Sequence, residues 1–160
     1  MTEYTPNPDL DLVLERTIAV SPDKVWAAWT TPELLVQWFT PAPWKTVAVD
    51  VDLRPGGRYC TTMESPEGEQ FPSEGSYLAV EPERLLVFTS ALLEDFRPAV
   101  GEDGGMPFTT RIEISPTADG GTHYRAVAMH ADEHGAAQHA EMGFHEGWGA
   151  AFDQLVTLMS

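Results

Sequence analysis

The sequence predicts an α+β fold: a curved antiparallel sheet of about seven strands wrapped around a long C-terminal helix, with two short helices after the first strand. Three observations carry this prediction. The stretch from about Gly135 to Met159, wound as a helix, puts Ala137, Glu141, Phe144, Trp148, Ala151, Phe152, Leu155 and Met159 on one face. Upstream, short β-patterned segments are separated by turn chemistry at Pro55-Gly56-Gly57, Pro66-Glu67-Gly68, Glu81-Pro82-Glu83 and Asp119-Gly120-Gly121. Such short connections make successive strands antiparallel neighbours, and a sheet with one apolar face needs the helical stripe to cover it.

Residues 1–8 read as a lead-in without regular structure, and the domain is taken to run over 12–160, leaving 1–11 disordered or extended. From about Leu10 to Val20, Leu12, Leu14, Arg16, Ile18 and Val20 alternate with Val13, Glu15, Thr17 and Ala19, which is a strand. Ser21-Pro22 then supplies a cap residue with proline at the first helical position, and a short helix carries Val25, Trp26 and Trp29 on its buried side. Thr31-Pro32-Glu33 repeats the signal for a second short helix with Leu34, Leu35 and Trp38. Strands follow near residues 44–52, 57–64, 73–80, 84–91, 107–115 and 121–130. Between the last two of these turns, Leu92 to Met106 is long and acidic and ends in Gly101-Glu102-Asp103-Gly104-Gly105, the pattern of a mobile loop. The final strand puts Tyr124, Ala126, Ala128 and His130 on the inner face, where two alanines beneath a helix leave room for a cavity.

Composition bounds the function. The 160 residues hold 9 basic and 25 acidic side chains, a net charge of −16, which repels phosphate backbones and anionic membrane surfaces. Neither nucleic acid nor membrane is therefore an expected partner. The single cysteine, Cys60, excludes an intramolecular disulfide and fits a cytoplasmic location. No signal-peptide pattern and no apolar run of spanning length is read.

Several motifs together resemble the START-related helix-grip superfamily (SRPBCC), and within it the bacterial branch similar to the activator of heat-shock-protein ATPase. They are Arg16 with Ser21-Pro22 and Val25-Trp26; Thr30-Thr31-Pro32-Glu33 with Trp38; Asp52-Leu53-Arg54-Pro55-Gly56-Gly57; Gly75 with Tyr77; and Pro82-Glu83-Arg84-Leu85 leading to Phe88-Thr89. His130, His139, Met142-Gly143-Phe144, Gly147-Trp148 and Gln154-Leu155 complete the set, which covers nearly the whole chain from Leu12 onward. The resemblance implies a helix-grip fold with an apolar cavity between the long helix and the sheet. Relatives use that cavity for lipids, hormones or polyketides, a few act as cyclases, and eukaryotic co-chaperones of the same fold act through surface contacts.

The candidate site residues follow from the wheel and the strand. Glu141 and His145 lie one turn apart on the apolar side, and an imidazole held by a carboxylate can move a proton near neutrality. They are the candidate catalytic pair and the polar groups expected to fix a ligand in the cavity, set against a structural hydrogen bond. Trp148, Phe144, Tyr124 and His130 are expected as walls of the cavity, with Trp29 at one end. His139, with Glu146 and Asp153, falls on the opposite, solvent side of the same wheel. The histidines and acids between His130 and Glu141 match no zinc-hydrolase spacing, and neither Gly56-Gly57 nor Gly104-Gly105 has a nucleotide fingerprint, so no metal and no cofactor is expected. Two function classes result: binding of a small apolar or aromatic molecule in the cavity, with cyclase-like acid–base chemistry as an extension, or a co-chaperone-like protein acting through its surface. A homodimer that buries part of the apolar surface is a further expectation.

Overall fold

A computed structural model of the chain describes residues 3–100 and 106–160. Strand β1 (Asp11–Ile18) leads into helices α1 (Pro22–Thr30) and α2 (Pro32–Trp38). Strands β2 (Lys45–Val51), β3 (Arg58–Glu64), β4 (Gln70–Glu81) and β5 (Leu85–Thr89) follow. A small hairpin, β6 (Leu92–Leu93) and β7 (Arg97–Pro98), precedes β8 (Phe108–Pro116) and β9 (Thr122–His130). Two helices close the chain, α3 (Glu133–Glu141) and α4 (Phe144–Met159). Seven strands form one antiparallel sheet in the order β1-β9-β8-β5-β4-β3-β2, so the first strand closes against the last.

Period-2 alternation sets the inner face. In register across four strands, Leu14, Ala126, Ile112 and Leu86 form one inner row, and Leu12, Ala128, Thr110 and Phe88 the next. The stripe of α4 seals this face with Phe144, Ala151, Phe152 and Leu155, all buried, while Glu146 and Asp153 face solvent. Phe152 stacks on Tyr124 at 4.0 Å between ring centroids, an aromatic pairing that adds about 0.5–1.5 kcal/mol beyond its burial. Proline at the first position of both α1 and α2 stops one helix and starts the other, as expected. Their turn brings Trp29 and Trp38 edge to face at 4.8 Å, and Trp38 Nε1 donates to the Ala28 carbonyl at 2.9 Å. Gly75 is required by close approach: a Cβ there would lie 2.4 Å from the Thr89 carbonyl oxygen of the adjacent strand.

Three expectations change. The continuous helix from Gly135 is two helices, broken where Gly143 adopts φ +92° and ψ +36°, a left-handed conformation that only glycine enters at low cost. Asp132 caps α3 by accepting from Gly135 N at 2.7 Å, so that helix begins earlier than its apolar pattern suggested. The segment after Leu92 contains the β6–β7 hairpin, docked through Asp95 N to the Gly56 carbonyl at 2.7 Å and Arg58 to Glu94 at 3.2 Å. Its glycine-rich end, 101–105, lies outside the described residues.

Residues 3–10, which end in a turn at 8–10, lie against the outer face of the sheet and are tied down there. The Tyr4 hydroxyl bonds the Asp11 carboxylate, Arg111 lies over the Tyr4 ring at 4.8 Å, and Arg125 Nη2 donates to the Tyr4 carbonyl at 2.7 Å. Burial, followed by the Asp11 carboxylate, pushes the Tyr4 phenol up to about 12. Among the described residues no helix is long and apolar enough to cross a membrane.

Candidate functional site

A pocket of about 320 Å³ opens between the α3–α4 junction, the α2 end and the inner face of the sheet. Trp148, Phe144, Ala151 and Phe152 form the wall from α4, and Met142 and Gly143 the junction. Trp29, Trp38, Phe39, Thr40 and Pro41 enclose it from the helix pair, and Thr61, Met63, Ser73, Phe108 and Tyr124 from the sheet. Gln154 fixes the second of these walls. Its amide nitrogen donates to the Trp38 and Thr40 carbonyls, both at 2.9 Å, and its oxygen accepts from Ala42 N at 2.8 Å. One side chain of α4 thus holds the chain leaving α2 against the helix that faces it.

The expected wall residues Trp29, Tyr124, Phe144 and Trp148 all border this pocket. Trp29 is also a buried donor, since its Nε1–H has no partner among the described residues. The Tyr124 phenol is pushed up by burial. His130 stands behind the pocket rather than on its wall.

The expected polar pair does not reach the pocket. Glu141 and His145 are both exposed and neither lines it. Ala137, expected on the same apolar face, is exposed as well. His145 lies within α4, off its buried stripe; for Glu141 and Ala137 the physical reason is the left-handed turn at Gly143. It restarts the helix, so the phase read from the α4 stripe does not extend back into α3, whose buried face is Ala136 and His139. His139, expected on the solvent side, is only 9% exposed and lines the pocket between Phe108 and Phe144, at 4.8 and 5.2 Å between ring centroids.

His139 and His130 are hydrogen-bonded to each other, Nδ1 of the first to Nε2 of the second at 2.8 Å. His130 Nδ1 in turn donates to the Leu10 carbonyl at 2.9 Å, which links the pair to the strand-side end of the lead-in. Burial, and then the neighbouring His130, lowers the His139 imidazole from 6.5 to about 4. At neutral pH the ring facing the pocket is uncharged. A signal for this residue existed in the chain: Met142-Gly143 after Glu141 is a helix stop, and it would have put His139 in the last turn of a separate helix. Among the described residues no three histidine, cysteine, aspartate or glutamate side chains converge as metal ligands would.

Comparison with known proteins agrees with this architecture. A protein of Nitrosomonas europaea is 46% identical, with 96% of each chain covered and a TM-score of 0.90. One from Mycobacterium smegmatis is 27% identical over 95% of this chain and 91% of its own, with a TM-score of 0.77. A third, from Rhodobacter sphaeroides, shares the fold at 21% identity and a TM-score of 0.82, over 96% of this chain and 95% of its own. The comparison with curated proteins gave no match. Residues 19–160 match the family described as Activator of Hsp90 ATPase homolog 1-like protein, and the chain, with its seven-stranded helix-grip sheet, belongs to that family of the SRPBCC superfamily.

Proposed function

We propose that the protein binds a small apolar or aromatic molecule in the pocket between α4 and the sheet, in the cytoplasm. The observation that carries this reading is the wall: Trp29, Tyr124, Phe144, Trp148 and Phe152 present aromatic surface around about 320 Å³, the lower end of the size range of ligand pockets, about 300–1,000 Å³. A compact, uncharged ligand fits a site with this lining better than an anion does, because the chain's net charge of −16 disfavours negative guests. Acid–base chemistry of the cyclase kind would have to use His139, since Glu141 and His145 face solvent. An imidazole lowered to about 4 is a weak base, so binding is favoured over catalysis.

Native mass spectrometry of the protein purified from its own host tests this. A stoichiometric small molecule, released on denaturation and lost in a folded Trp148→Ala variant, is the expected result. A protein that stays free of ligand when challenged with small aromatic compounds would overturn the reading and favour surface contacts with a partner protein.

A further inference from the structure

The pocket has one hydrogen-bonding group whose protonation its neighbours dictate. The Leu10 carbonyl can only accept, so the proton on His130 must sit on Nδ1, 2.9 Å away. A neutral His130 then has a bare Nε2, which can only accept. His139 Nδ1, at 2.8 Å, must therefore be the donor. A neutral His139 is left with its lone pair on Nε2. That atom has no hydrogen-bond partner among the described residues. The space His139 borders is the pocket.

From this geometry we propose that His139 Nε2 accepts a hydrogen bond from a hydroxyl of the bound molecule, so that the pocket selects an uncharged phenol or alcohol. This rests on the pocket-binding reading above. An ether or a ketone would set an acceptor against an acceptor and leave Nε2 desolvated without a donor. A phenolate would add a negative charge facing the same lone pair. His130 acts as a positioning residue: it touches no ligand, and its role is to hold the His139 tautomer that turns the lone pair inward.

Isothermal titration of the full chain with 2-naphthol and with 2-methoxynaphthalene tests this, because the two probes differ by whether oxygen carries a proton. The naphthol is expected to bind about 10- to 100-fold more tightly, the usual consequence of leaving a buried acceptor unmet. His139→Phe is expected to erase that ratio while both probes still bind. Nitrogen-15 NMR of the histidines supplies a readout that needs no variant. His139 should show a protonated Nδ1 and a bare Nε2, and only the naphthol should shift Nε2. Equal affinities in the native chain, or an Nε2 signal indifferent to the naphthol, would overturn the proposal and leave pocket binding standing. Failure of both probes to bind would overturn both.

Discussion

Replacing Gly143 with alanine distinguishes two forms of the C-terminal region by the sign of a stability change. At φ +92° an alanine pays about 1–2 kcal/mol for the left-handed conformation. Its lower freedom in the unfolded chain returns about 0.4–1 kcal/mol. Beyond its own chain neighbours, no atom of the described residues lies within 4 Å of a Cβ built at this position, so no clash contributes and the backbone term stands alone. The net expectation is a loss of about 1 kcal/mol. Gly147 provides the control. It sits inside α4, also in open space, and its replacement by alanine should stabilise by about 0.8–1 kcal/mol. Urea titrations followed by far-UV circular dichroism would measure both, and melting temperatures should move in opposite directions by about 2–4 °C. Were Gly143→Ala to stabilise the protein as Gly147→Ala does, the chain would form one continuous helix there. The burial of His139 and the shape of the pocket would then be wrong together.

Other expectations concern the same region and the sheet. His139 should make stability fall in acid: its folded pKa of about 4 lies below the unfolded 6.5, so its contribution is present above about pH 6.5 and is lost as pH falls through about 4. The full shift corresponds to about 3 kcal/mol, which solvent at the pocket mouth reduces to about 1–2, and His139→Phe should flatten the urea midpoint over that window. Glu141→Gln and His145→Gln should leave stability within about 0.5 kcal/mol and probe affinity unchanged, because both side chains are exposed; a large effect on binding in titration would restore them to the site. Gly75→Ala should cost about 3 kcal/mol in the same urea assay by forcing β4 away from the Thr89 carbonyl, and a neutral result would contradict that pairing.

What the sequence by itself determined about this protein is what local periodicity encodes. Alternation marked β1 as a strand and gave β9 its inner face, Ser21-Pro22 and Thr31-Pro32 placed the helix starts, and the stripe from Phe144 to Met159 placed α4 on the sheet. These patterns are legible because each strand or helix must hide one face, whatever its neighbours are. Tyr124, Phe144, Trp148 and Trp29 could be picked as pocket walls for the same reason. The tertiary structure alone decided the polar side of the site. Gly143, Gly147 and Gly149 look alike in a helical pattern, and only packing determines that the first turns left-handed while the others stay helical. That single choice rotates α3 relative to α4, buries His139 and exposes Glu141, while His145 lies within α4 off its buried stripe. The contacts that fix the His139 lone pair join Leu10, His130 and His139 from a lead-in, a strand and a helix. Nothing in any one segment encodes a hydrogen bond that exists only after the other two have been brought beside it.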